Sequence, residues 1–93
     1  MKEEWHNETC VTYTVKVWST GTRFWYMEDG TRGRLDGPAV EHDHGTKEWW
    51  VNNQLHRIDG PAYEGSNGKQ EWWLHGKKLT QEEWESEKAC LRL

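Results

Sequence analysis

The run VTYTVKVW, residues 11 to 18, alternates apolar and polar positions strictly, and strand-forming stretches return around three tryptophan-centred segments, RFWYM, KEWWV and KQEWWL. A two-residue period sends successive side chains to opposite faces of an extended chain, so each stretch predicts a strand. Gly, Asn, Asp and Pro punctuate the gaps. Gaps this short permit only antiparallel neighbours, because a parallel crossover needs about a dozen residues or more. The expected fold is mainly β, an antiparallel meander of about six strands, with residues 11 to 18 pairing to the first tryptophan segment through STGT.

The segments are copies of one unit. GTRFWYMEDGTRGRLDGPAVEHDH (21 to 44), GTKEWWVNNQLHRIDGPAYEGSN (45 to 67) and GKQEWWLHGKKL (68 to 79) align with a period of 23 or 24 residues. Gly21, Gly45 and Gly68 open the copies, Trp25, Trp49 and Trp72 fall in register, and Asp36-Gly37-Pro38-Ala39 recurs as Asp59-Gly60-Pro61-Ala62. A fixed period of this length marks a repeat architecture, in which a unit buries its apolar face only by stacking on its neighbours. The chain therefore divides as an N-terminal strand unit (1 to 20), repeat 1 (21 to 44), repeat 2 (45 to 67), a partial repeat 3 (68 to 79) and a cap (80 to 93) within one domain. Thr80 and Glu83 form a capping box, and the good helix formers that follow predict a helix from Gln81 to about Leu91. Its apolar residues, Trp84, Ala89 and Leu91, make a narrow stripe, so light docking is expected.

Alternation also sorts the paired tryptophans onto two faces. One column holds Trp25, Met27, Trp49, Val51, Trp72 and Leu74, joined across the first hairpin by Val11, Tyr13, Val15 and Val17. The other holds Tyr26, Glu48, Trp50, Glu71 and Trp73, with Lys16 and Trp18. The second column has two readings. Cross-strand aromatic pairs, each contributing about 0.5 to 1 kcal/mol, would stabilise a thin sheet. Alternatively, an exposed aromatic ladder is the kind of surface found at protein interfaces and under stacked bases or sugars.

Composition supports a folded chain in spite of its polarity. Of the 93 residues 30% are charged, yet eight Trp, three Tyr and one Phe are present, and each buried aromatic removes about 150 to 250 Å² from water. A net charge of −4 argues against an extended nucleic-acid partner, which calls for a basic stripe. No apolar run reaches the roughly 18 residues of a membrane span, and MKEEWHNE lacks a signal-peptide core, so no membrane partner is expected and a cytoplasmic location is. Cys10 and Cys90, far apart and without a Cys-x-x-Cys pattern, read as reduced thiols.

Candidate chemistry is sparse. Arg34 with Asp36, and Arg57 with Asp59, are spaced for a local ion pair bracing a bend. His42-Asp43-His44 groups three donors but not the four-ligand pattern of a tetrahedral metal site, and reads as a polar turn. No nucleophile with a base, phosphate loop or HExxH pattern is present, which predicts neither an enzyme nor a cofactor.

Trp-Trp-x5-His-Arg-x-Asp-Gly-Pro-Ala, complete in Trp49 to Ala62, resembles the short repeats of small phage and large-virus proteins that are described as variants of the MORN repeat. Gly68 to Lys77 followed by LTQEEW resembles their closing unit, so the likeness spans about residues 21 to 84. Repeat 1 departs from the pattern at Gly33, and repeat 3 lacks Asp-Gly-Pro-Ala. The resemblance implies a β meander that binds or scaffolds without catalytic residues. For a small acidic protein of phage type it implies a host protein as partner, an antiviral defence component being the expected target. The candidate binding residues are Trp18, Tyr26, Trp50 and Trp73, with Glu48 and Glu71 setting specificity. Two alternatives stay open: a sponge for a nucleotide or sugar, with Arg23, Arg34 and Arg57 meeting a phosphate, and a self-associating structural module.

Overall fold

Alternation along VTYTVKVW produces the strand it predicts, and that strand lies near one end of a long antiparallel sheet. The computed structural model describes residues 2–8 and 11–91, with side chains described from 12 to 89. The strands are β1 (Lys2–Glu8), β2 (Val11–Val17), β3 (Arg23–Tyr26), β4 (Val40–Glu41), β5 (Lys47–Glu48), β6 (Trp50–Val51), β7 (Gln54–Leu55), β8 (Tyr63–Glu64), β9 (Gln70–Leu74) and β10 (Lys77–Leu79), followed by the helix α1 (Gln81–Leu91). Eight of them form one antiparallel sheet in the order β1-β2-β3-β4-β5-β8-β9-β10, and β6-β7 forms a second, two-stranded sheet. The expected meander and closing helix are present.

The expected count of six strands is corrected to ten among the described residues, for two reasons. The charged stretch from Lys2 to Glu8 pairs with β2 over its whole length, from Lys2 opposite Val17 to Glu8 opposite Val11. An edge strand is bonded on one side only and needs no apolar alternation to pair, so the pattern gave no sign of it. In addition, the second tryptophan segment does not run on as one strand. It breaks after Glu48 and turns back as a tight hairpin, with Trp50 opposite Leu55, while β9 turns back onto β10. Asn52 and Asn53 (φ 52° and 64°), and His75 and Gly76 (φ 50° and 79°), place both central residues of these turns in the left-handed region, which matches the natural twist of a two-residue hairpin.

Equivalent residues of successive units carry equivalent hydrogen bonds. The Trp25 amide donates to the Ala39 carbonyl and the Trp49 amide to that of Ala62, both at 2.7 Å; Arg34 N–H donates to Trp50 O and Arg57 N–H to Trp73 O. Gly21, Gly45 and Gly68, which open the units, have φ of 101°, 103° and 90°, a conformation that side chains disfavour. Buried Thr22 and Thr46 follow the first two of these glycines and tie each turn to the next one, through Asp43 and through the Ser66 amide respectively.

Pairing Val15 with Trp25 and Arg23 with Glu41 puts Tyr13, Val15, Val17, Trp25 and Ala39 on one face. Tyr13, Val15, Trp25 and Ala39 form a buried cluster there, against which Val17 and Met27 pack. A second cluster, Leu74, Leu79 and Trp84 with Trp72 against it, seats the helix on β9 and β10. Among the described side chains of the helix Ala89 is exposed, while Trp84 docks deeply: it is 4% exposed and its indole N–H donates to Arg57 O at 2.7 Å. The Thr80 and Glu83 box caps the N-terminus with bonds of 2.9 and 3.1 Å. The extents of 39 × 32 × 18 Å are those of a plate one sheet thick with a helix at one end. Cys10, the Cys90 side chain and the Val11 side chain lie outside the described residues.

Replacing Trp84 with Ala removes the helix anchor and leaves the Arg57 carbonyl unpaired. The expected loss is about 3 kcal/mol in urea unfolding. Trp84→Phe keeps the apolar contact and loses only the hydrogen bond, for about 1 kcal/mol.

Candidate functional site

Each complete unit folds its own Arg-x-Asp-Gly-Pro loop over its own tryptophan. Arg34 lies over the Trp25 ring with Cζ 4.3 Å from the centroid, and Arg57 over Trp49 at 3.7 Å. Nε of Arg34 donates to Asp36 and Nε of Arg57 to Asp59, both at 2.8 Å, and the Nη1 groups reach the carbonyls of Pro38 and Pro61. Arg57 also pairs with Glu64 at 3.0 Å, while Arg34 comes within 3.7 Å of Glu41. A side chain on Gly37 or Gly60 would meet the guanidinium at 3.0 and 2.8 Å, so glycine leaves room for the arginine to fold back in this position. The spacing that suggested a braced bend is such a brace.

Six of the sequence-derived candidates share the opposite face. Trp18 is 48% exposed and packs edge-on to Phe24; Tyr26, Trp50 and Trp73 are half-buried. Trp50 Nε1 donates to Glu48 and Trp73 Nε1 to Glu71, at 2.8 and 3.0 Å, so each pair holds its own indole in place. The Trp73 bond, helped by Lys69 and Lys78, outweighs burial and holds the Glu71 carboxyl below the usual range. Glu48 also meets His42 Nε2 at 2.9 Å, and the His42 and His44 rings stack at 5.1 Å. Lys16 sits over Tyr26, and the Arg32 guanidinium lies among Phe24, Tyr26 and Trp50 at 5.2, 5.9 and 5.2 Å. Val40, between Phe24 and Glu48 in the ladder, is 1% exposed. Trp50 additionally touches the first buried cluster. Of the cross-strand aromatic pairs considered for this face, Trp18 with Phe24 is in ring contact; the Arg32 guanidinium lies between Tyr26 and Trp50, and the row is partly exposed. Arg57, the seventh candidate, does not join this group, because it is folded over Trp49 on the other side.

A cleft of about 650 Å³ opens on that other side, between the two braced loops. Trp49 and Val51 line it, Arg34 to Gly37 form one wall, and His56 to Asp59 the other. Leu35 (60% exposed) and Ile58 (37%) stand in these walls at equivalent positions of the two units. Sequence reasoning passed over both. An aliphatic residue in the variable position of both Arg-x-Asp-Gly-Pro copies was the available signal.

Comparisons with protein-family models, curated proteins and solved structures find no match. Chemistry at the two surfaces rests on their own residues. Among the described residues no group of three or more His, Cys, Asp or Glu is placed to hold a metal ion, and no helix is long and apolar enough to cross a membrane.

His56 lies at the cleft margin with its ring tilted against that of His75, centroids 4.3 Å apart, and its Nδ1 accepts the His75 amide hydrogen at 2.9 Å. Burial first, then the neighbouring His75, holds its imidazole below the ordinary 6.5. The unfolded chain thus takes up this proton at higher pH than the folded one. The stability linked to His56 is complete above about pH 6.5 and is lost as pH falls through the depressed value. His56→Gln is expected to flatten the decline in unfolding midpoint between neutral and mildly acidic pH, measured by urea titration at each pH.

Proposed function

We propose that this chain is a non-enzymatic binding module that associates with a protein through the aromatic and acidic face of its sheet. The observation carrying this reading is the row Trp18, Tyr26, Trp50 and Trp73, partly open on the face away from the helix anchor and fixed by Glu48, Glu71, Lys16 and Arg32. Aromatic rings held in one geometry lose little freedom on binding, and buried aromatics dominate the energetics of protein interfaces. The acidic partners of the indoles favour a basic surface opposite.

The likeness of Trp49 to Ala62 to small phage repeat proteins supports the narrower reading. The chain is a phage-type protein that works in the host cytoplasm by binding and blocking a host antiviral defence protein. The nucleotide-sponge reading has less support, because Nε and Nη1 of both Arg34 and Arg57 are already bonded within the loops.

The test is capture from bacterial lysate by the native chain and by a Trp50→Ser/Trp73→Ser variant shown to be folded by circular dichroism. The expected result is one host protein retained in a fixed ratio by the native chain, shifting its elution volume, and at least about tenfold less retained by the variant. Elution of the native chain alone as a large assembly would instead support self-association. A nucleotide released on heating would support the sponge.

A further inference from the structure

The repeat supplies an internal comparison for the cleft over Trp49 and Val51. One unit further on, the corresponding floor is Trp72 and Leu74, and the corresponding first wall is the Arg57 loop. That place is filled. Trp84 packs edge-on against Trp72 with ring centroids 6.3 Å apart, joins Leu74 in a buried cluster, and donates its indole N–H to Arg57 O. The two loops are equivalent by hydrogen bonding as well as by sequence, since Arg34 N–H and Arg57 N–H donate to the carbonyls of Trp50 and Trp73 in the following unit. The counterpart of Arg57 O is therefore Arg34 O, and Arg34 lines the cleft.

We propose that the cleft is a receptor for an aromatic side chain with an N–H donor, an indole presented by a protein partner, seated on Trp49 and Val51 and donating to Arg34 O as Trp84 does to Arg57 O. Its volume of about 650 Å³ suits a side chain with some adjoining backbone. Leu35 and Ile58, exposed in its walls, flank the inserted ring with apolar contacts. Anchoring by one large aromatic in a pocket rimmed by polar groups is the usual form of an interface hot spot, and Asp36, Asp59 and the two arginines supply the rim. The proposal concerns the face opposite the aromatic and acidic row and stands without it.

Titration of the isotope-labelled full chain with N-acetyl-tryptophanamide, followed by amide NMR shifts, tests the site. Saturable shifts are expected at Arg34, Leu35, Val51 and Ile58. The 1-methylindole analogue, which lacks the donor, should bind about fivefold more weakly. Ile58→Asp and Leu35→Asp, both changes at exposed positions, should each abolish the shifts while leaving the remaining spectrum in place. The Trp50→Ser/Trp73→Ser variant should bind the probe as the native chain does, which separates this site from the sheet face. Absence of saturation, shifts confined to other surfaces, equal binding of N-acetyl-leucinamide, or stronger binding of adenosine monophosphate at the same amides would overturn the proposal.

Discussion

A sheet one layer thick has nothing of its own to cover the large apolar side chains that hold it together, and the stacking of Arg57 on Trp49, repeated by Arg34 on Trp25, is how this chain meets that constraint. A guanidinium is weakly hydrated and flat, so it can lie on an indole while its edge keeps hydrogen-bonding. Every residue of the motif follows from that placement. Asp59 takes Nε, the Pro61 carbonyl takes Nη1, Gly60 leaves room for the guanidinium, and Ala62, fully buried, accepts the Trp49 amide hydrogen. The five-residue string is a lid with its own latch, and this gives the recurrence of Asp-Gly-Pro-Ala a structural reason.

The two tryptophans of a pair answer different needs. The first is covered, Trp49 by the Arg57 lid and Trp72 by Trp84, and the second is held on the outer face by the glutamate two positions before it, at Trp50 with Glu48 and Trp73 with Glu71. A residue two positions away along a strand lies on the same side, so Glu-x-Trp is enough to satisfy the indole N–H locally. Such satisfaction has a functional corollary. An indole already bonded within its own strand offers its ring rather than its N–H to the outside, in a geometry fixed by that bond.

Much of this was legible in the chain, and what was missed has identifiable reasons. Period-two alternation sorted Trp25 from Tyr26 correctly, the repeat fixed the register of the units, and Thr80 with Glu83 marked the helix start. The hairpins at Asn52-Asn53 and His75-Gly76 were missed because the apolar run EWWV reads as one strand, although two adjacent left-handed formers are themselves a hairpin signal. β1 left no trace because its largely charged stretch shows no apolar alternation. The cleft was illegible for another reason: it lies between residues about 20 positions apart, and neither loop reveals by itself which face its variable aliphatic residue takes.

The third unit shows what the lid is for by lacking one. It has Trp72 but no Arg-x-Asp-Gly-Pro, and without a substitute this tryptophan would stand open at the end of the plate. The helix covers this tryptophan instead from the side of the preceding loop with Trp84, an apolar plug whose single N–H is directed to the Arg57 carbonyl of that loop. Covering Trp72 and ending the array are thus one event, because the helix that brings Trp84 also packs on β9 and β10, where a further unit would have to add. Repeats that stack only on their neighbours need a last member whose outer side is finished. Here, among the described residues of the helix, the buried indole of Trp84 is what finishes that side.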